Sequence, residues 1–281
     1  MIKFGVAGNS KSFFADGLST SIQAADWCAK KGIDCYEYSF GRGVNLSSET
    51  AVAIGNAFEN SGVELSVHAP YFINFSNPDP EKIENSIGYV TRSIEKLICF
   101  KGNRVVVHPA SQGKAKRDVA HTTAIENFKL LSAVLEEKGL TNYKVCIETM
   151  GKIGQMGSVA EVVDYCNVSE QFYPCVDFGH VNSRELGSLK ETANYTSLLS
   201  YMLDNLPEHK VFDMHIHFSK IQYGAKGELK HLTFEDEIYG PNYEHMLEAV
   251  YKLGLEPYII CESDGTQAED TLTMKNHFKS F

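Results

Sequence analysis

No apolar stretch in this 281-residue chain is long and uncharged enough to cross a bilayer. The opening run Met1-Ile2-Lys3-Phe4-Gly5-Val6-Ala7-Gly8 is too short for the apolar segment of a secretory signal, and Asn9, Lys11 and Asp16 follow it closely. A cytoplasmic location is therefore expected, with no membrane partner. Paired cysteines are also missing. The seven thiols are scattered, their number is odd and none forms a C-x-x-C pair, which argues against a disulfide framework and for reduced thiols. An excess of positive charge is lacking as well: 26 Lys and Arg stand against 36 Asp and Glu, a formal net charge of −10. That excludes a generally basic surface for nucleic acid, although bound divalent cations would still make one cleft locally positive. No linker, low-complexity tract or repeat divides the chain, so residues 1–281 are expected to form a single domain.

What is present is an ordinary globular composition, 43% hydrophobic and 22% charged, with enough length to bury a large core. Short β-branched or aromatic runs alternate with longer amphipathic ones. Strands are expected at Lys3–Ala7, Ile33–Ser39, Val63–His68, Arg104–His108, Tyr143–Thr149, Phe172–Asp177, Val211–Phe218 and Tyr258–Glu262. Helices are expected at Ser19–Lys31, Ser48–Asn60, Ile83–Phe100, Arg117–Lys138, Ser158–Cys166, Glu191–Asn205, Tyr243–Leu253 and Ala268–Phe278. Strict alternation implies parallel strands joined by helical crossovers, and eight such units suggest an α/β fold of the closed (β/α)8 TIM-barrel kind rather than an open doubly wound sheet. The polar loop Tyr223–His231 reads as an insertion on the face carrying the site.

The chemistry is concentrated at strand ends. The third strand ends at His68, the fourth at His108, the fifth at Glu148 and the sixth at Asp177; the seventh carries His215 and His217, and the eighth ends at Glu262. In a parallel barrel these ends share one face, where barrel enzymes place their sites. A carboxylate or imidazole that closes an apolar strand needs a partner, and a metal ion is one. Taken singly, each histidine also reads as a hydrogen-bonded loop residue, and Asp177 as the cap of the next helix with His180 exposed. Their recurrence on one face favours a metal site. Nitrogen and oxygen donors without cysteine suit zinc, manganese or iron. In Asp213-Met214-His215-Ile216-His217 the two histidines share one strand face, so periodicity does not rank them.

At these residues the sequence resembles the endonuclease IV family of zinc-dependent apurinic/apyrimidinic endonucleases, over nearly the whole chain. His68-Ala69-Pro70-Tyr71-Phe72-Ile73-Asn74 is similar to the family's H-x-x-Y-x-I-N. Val107-His108-Pro109 matches its next histidine, with Ala110 where a glycine is usual. Glu148-Thr149-Met150-Gly151 resembles E-T/N-x-G, and Asp177-Phe178-Gly179-His180 matches D-x-x-H. His215-Ile216-His217-Phe218-Ser219-Lys220 resembles H-x-N-D-S-K, which selects His215 and puts His217 at an asparagine position. Cys261-Glu262-Ser263 supplies the last glutamate.

The resemblance implies two or three Zn2+ ions, with Mn2+ an option at one site. His68, His108 and Glu148 would hold the first; Glu148 would bridge to a second held by Asp177, His215 and Glu262. His180 would belong to a third, with His231 the closer match to the family's D-x-H and Glu228 a longer side chain at a different spacing. The implied activity is hydrolysis of damaged double-stranded DNA on the 5′ side of abasic sites, with Glu148 and Glu262 catalytic and with Tyr71 and Arg42 as duplex-probing residues. No obligate protein partner is implied. The same superfamily contains sugar isomerases and epimerases, which resemble this chain through one four-ligand site, Glu148, Asp177, His215 and Glu262, with His180 as a substrate contact, and would use one metal and a small sugar. A non-enzymatic metal- or sugar-binding barrel is the third reading.

Overall fold

The computed structural model describes residues Met1–Phe281. Eight strands close into a barrel: β1 (Lys3–Ala7), β2 (Cys35–Ser39), β3 (Glu64–His68), β4 (Arg104–Val107), β5 (Lys144–Glu148), β6 (Phe172–Asp177), β7 (His215–Phe218) and β8 (Tyr258–Cys261). Each pairs in parallel with its neighbours in sequence, and β8 closes onto β1. Around it pack helices Ser21–Lys31, Ser48–Ser61, Pro80–Cys99, Arg117–Glu137, Val159–Cys166, Thr192–Asn205, Tyr243–Lys252 and Gln267–Phe278. The architecture is the expected (β/α)8 barrel. No helix is long and apolar enough to cross a membrane.

The two-residue period of a strand sorts every barrel residue. Val105 and Val107 of β4, Val145 and Ile147 of β5, and Ile216 and Phe218 of β7 join the main apolar core between barrel and helices. Their alternates, Val106, Cys146 and Cys175, form a small separate cluster inside the barrel. Continuing that inward parity by two residues reaches His108, Glu148 and Asp177. The same parity on β2, β3 and β7 carries Glu37, His68 and His217. At the opposite end of the interior, Arg104 pairs with Asp213 at 3.0 Å and lies 3.5 Å over the Tyr258 ring, while Lys144 also reaches Asp213. The barrel interior thus carries charged groups at both ends, with the small cluster of Val106, Cys146 and Cys175 between them.

Two expectations need correction. The seventh strand does not start at Val211: Glu208–Phe212 is a short helix after Pro207, with Val211 buried on it, and the strand begins at His215. Apolar content alone does not separate these two states over so short a run. The Tyr223–His231 loop is an antiparallel hairpin, Ile221–Gly224 with Gly227–His231, folded back over the strand ends. Its tip rests on the turn after β5, where Glu228 N donates to Gly151 O at 3.2 Å.

Candidate metal centre

Glu148 is the hub of the barrel mouth. Buried at the end of β5, its carboxylate meets His68 Nε2 at 3.2 Å, His108 Nε2 at 3.1 Å, His217 Nδ1 at 3.1 Å and His180 Nδ1 at 3.4 Å. Three sets of donor atoms result, each with its members within 4.8 Å of one another: His68, His108 and Glu148; Glu148, Asp177, His217 and Glu262; and His180, Glu228 and His231. All of these except the fully buried Asp177 and His217 line one pocket of about 470 Å3, together with Tyr71 and Glu37.

His215 is not in these sets, which corrects the choice drawn from the H-x-N-D-S-K match. Strand register explains why. His217 lies beside Asp177 across the β6–β7 pairing, whereas His215 lies beside Cys175, one pleat deeper. His215 is fully buried, with Nε2 3.0 Å from Glu37 Oε2. Its donor atoms gather instead with those of Cys175 and His217 below the mouth.

Glu228 does reach the site. In a regular strand, residues three apart face opposite sides. Here the hairpin register shifts between Gln222 and Tyr223, so that Gln222 pairs with Lys230 but Tyr223 with Glu228, leaving Leu229 as an extra residue. The bulge restores a common face to Glu228 and His231. Glu228 Oε2 then lies 3.5 Å from His180 Nε2. Gly151 makes room for this approach: a Cβ there would stand 2.7 Å from Glu228 Cβ and 2.9 Å from His180 Cδ2.

Asp177 combines the two readings weighed for it. Its Oδ1 accepts from His180 N at 2.8 Å, capping helix Phe178–Arg184, while buried Oδ2 lies 3.2 Å from His180 Nδ1 without receiving a hydrogen bond. Tyr71 is half exposed at the rim, its ring 5.5 Å from His68 and 5.6 Å from His108, its hydroxyl 3.2 Å from Ser39 Oγ. Arg42 is exposed on the adjoining turn and does not line the pocket. Glu37 was not singled out by the sequence reading. Its signal was one acid inside Cys35-Tyr36-Glu37-Tyr38-Ser39, at the inward parity.

The electrostatics suit a cation. Burial pushes the Glu148 carboxyl up, but the surrounding imidazoles, His108 and His217 foremost, outweigh it and hold the group well below the usual carboxylate range. At Glu262 burial prevails over His217 and His231, with Asp177 adding to it, and the carboxyl is raised. Burial lowers His108, and pushes His215 down to about 4 against the pull of Glu37. The hydrogen bonding fits as well. His68 Nδ1 contacts Ala69 O at 2.8 Å and His180 Nδ1 contacts Thr149 O at 2.9 Å. An imidazole that gives one N–H to a carbonyl presents a bare lone pair at the other nitrogen, the usual arrangement of a metal-binding histidine. Those Nε2 atoms face carboxylates, a repulsive pairing unless a proton or a cation lies between. The orphaned Asp177 Oδ2 asks for the same partner. Oxygen and nitrogen donors in sets of three and four match zinc or manganese.

Residues 25–279 match the family described as xylose isomerase-like TIM barrel. The chain belongs to that family. Across 98% of its length it is 29% identical to an uncharacterised protein of Methanocaldococcus jannaschii, covering 96% of that protein. It is 24% identical over 201 residues to a protein named "Probable endonuclease 4" from Acholeplasma laidlawii, 69% of this chain and 65% of that one. Among solved structures, a D-tagatose 3-epimerase-like protein superposes with a TM-score of 0.71 at 18% identity, over 99% of this chain and 96% of the other. Endonuclease IV from Thermus thermophilus superposes at 0.67 and 16%, over 99% and 98%. This xylose isomerase-like barrel therefore has both endonucleases and sugar epimerases among its relatives and structural neighbours.

Proposed function

We propose that the chain is a metal-dependent phosphodiester hydrolase that cuts duplex DNA on the 5′ side of abasic sites. One observation carries the reading: three donor sets each contribute side chains to one pocket, and two of them share Glu148. An epimerase-type site needs only the set Glu148, Asp177, His217 and Glu262. It leaves His68, His108, Glu228 and His231 without work. Zinc bound in these sets, or manganese in one, would supply Lewis acidity and lower the pKa of bound water.

The chain's own residues do the rest. Glu148 holds the first two sets at a fixed separation, and Glu262 stands at the mouth as a carrier of the proton. The half-exposed ring of Tyr71 offers a surface against which the base-free gap can lodge. A nucleotide without a base costs less to extrude from the stack, which favours damaged over intact duplex. With a net charge of −10, few basic side chains would neutralise distant phosphates, so binding should fall less steeply with salt than for a basic DNA-binding protein.

The decisive assay uses a labelled duplex bearing one tetrahydrofuran abasic analogue, which cannot undergo β-elimination. Zinc-loaded protein should nick it to leave a 3′-hydroxyl, a chelator should stop the reaction, and undamaged duplex should survive. An uncut duplex, together with one bound ion per chain and interconversion of ketoses, would replace the nuclease reading with the sugar-epimerase one.

A further inference from the structure

Glu37 has no part in the reading above, yet it is among the most buried acids in the chain, 2% exposed on β2. It spans the barrel interior to β7. Its Oε1 lies 3.0 Å from His217 Nε2 and its Oε2 lies 3.0 Å from His215 Nε2 and accepts from Ser66 Oγ at 3.1 Å. The opposite nitrogen of His217, Nδ1, faces Glu148 at 3.1 Å and Glu262 at 3.5 Å. His217 therefore stands between two carboxylate environments, one below and one at the mouth.

We propose that Glu37 is a positioning residue that fixes the tautomer of His217, keeping its proton on Nε2 so that Nδ1 offers a lone pair to the set of Glu148, Asp177 and Glu262. This rests on the reading that the set holds a cation. The other two buried imidazoles with a settled orientation are held by main-chain carbonyls: His68 by Ala69 O and His180 by Thr149 O, each through Nδ1, leaving Nε2 outward. His217 is reversed. Its outward atom is Nδ1, so its orienting partner must lie beneath it at Nε2, deep in the barrel. Glu37 is the acceptor there. The Nε2–H axis does not point squarely at the Glu37 oxygen, while Nδ1 stands in hydrogen-bond geometry to Glu148 Oε1 at 3.1 Å, a contact that a cation held by the set would replace. A carboxylate behind a metal-binding imidazole both fixes the tautomer and raises the basicity of the donor atom. A single carboxylate also serves two imidazoles here. An ionised Glu37 accepts from Ser66 and turns acceptor oxygens toward both His217 and His215, whereas an amide in its place has one acceptor oxygen and turns an N–H donor toward the other ring.

The test follows the histidine ring nitrogens of 15N-labelled protein by long-range 1H–15N spectra, with His217 assigned by comparison with His217→Asn. Wild-type protein, before and after zinc loading, should show the His217 proton on Nε2. In Glu37→Gln the Nδ1–H form should appear, and zinc at the set containing His217 should bind about 10–100-fold more weakly. The set of His68, His108 and Glu148 should lose far less. Glu37→Asp, which keeps the charge, should recover part of both properties. A purely structural role for Glu37 would lower thermal stability without moving the tautomer. The proposal is overturned if wild-type His217 carries its proton on Nδ1, or if folded Glu37→Gln keeps both the wild-type tautomer and zinc affinity. Should Glu37→Gln not fold, the wild-type spectrum decides. A wild-type chain that takes up no zinc would refute the metal reading, while its ring spectrum would still decide the role of Glu37.

Discussion

Removing His217 and removing His215 should have very unequal consequences, and the comparison tests the strand register directly. His217 Nδ1 belongs to a four-donor set with Glu148, Asp177 and Glu262; His215 lies one pleat below it. Loss of an outer partner of a ligand typically costs 10–100-fold in metal affinity. Loss of a donor from a set of four should exceed that range, so His217→Ala is expected to weaken zinc by at least about 100-fold, or about 2.8 kcal/mol at ~1.4 kcal/mol per decade. His215→Asn should change it by less than about tenfold, because only the partner of a partner is altered. The identity of the donor atom refines the order. The Oδ1 of asparagine and the Nδ1 of histidine are both attached to Cγ, so His217→Asn places an oxygen near the native donor. Glutamine carries its oxygen one atom further out and would overshoot. Zinc retention should therefore run wild type, His217→Asn, His217→Gln, His217→Ala. Dialysis against a zinc buffer followed by elemental analysis per chain measures it, with far-UV circular dichroism to confirm folding. If His215→Asn strips an ion while His217→Ala keeps it, the reasoning from register is wrong and the H-x-N-D-S-K alignment was right.

Glu148→Gln keeps the shape of the hub but removes its charge from beneath four imidazoles; it should lower occupancy of the two sets that share it and abolish nicking of the abasic duplex, and full metal content with a near-normal rate would refute the bridging role. Gly151→Ala drives a methyl group against Glu228 and His180; elemental analysis should show selective loss at the set His180, Glu228 and His231, and an unchanged ion count would argue against that set. At the other end of the barrel, burial raises the Asp213 carboxyl, but Arg104 and Lys144 outweigh burial and lower it below its ordinary 3.8. A carboxyl lowered by folding contributes stability that is present above its unfolded value and lost as pH falls through the folded one. Asp213→Asn should thus cost about 1.5–3 kcal/mol near neutral pH, with the gap to wild type in urea unfolding closing below about pH 4; a gap independent of pH would show that the ion pair is not its source.

The barrel was legible because its rule is local and repeated. Eight apolar runs alternate with amphipathic ones, and a potential ligand at or near the end of six of them marks the same face. Val105-Val106-Val107 before His108 shows the principle: the strand and its exit are both written in a few consecutive residues. What escaped was information that lives between strands. Nothing in His215-Ile216-His217 states which histidine stands level with Asp177; only the pairing of β6 with β7 does. Glu37 was overlooked because its partners are contributed by β3 and β7, far away in sequence. The Glu228–His231 spacing departs from the family's D-x-H because the extra residue Leu229 makes a three-residue step behave as a two-residue one. Motif spacing is a proxy for facing direction, and a bulge breaks the proxy without breaking the site.

The polar mouth of the barrel also bears on how this molecule can evolve. Most small barrels fill their interior with branched apolar side chains, whereas here Glu37, Glu148, Asp177, His215 and His217 occupy that volume, all buried. Buried ionic groups recover their desolvation cost incompletely, and well-packed apolar replacements of similar volume are often neutral or stabilising. A lineage released from selection on activity would therefore drift toward leucine and valine at these positions and gain thermal tolerance as it did so. The polar set in this chain lies against that gradient, as side chains kept for their chemistry would.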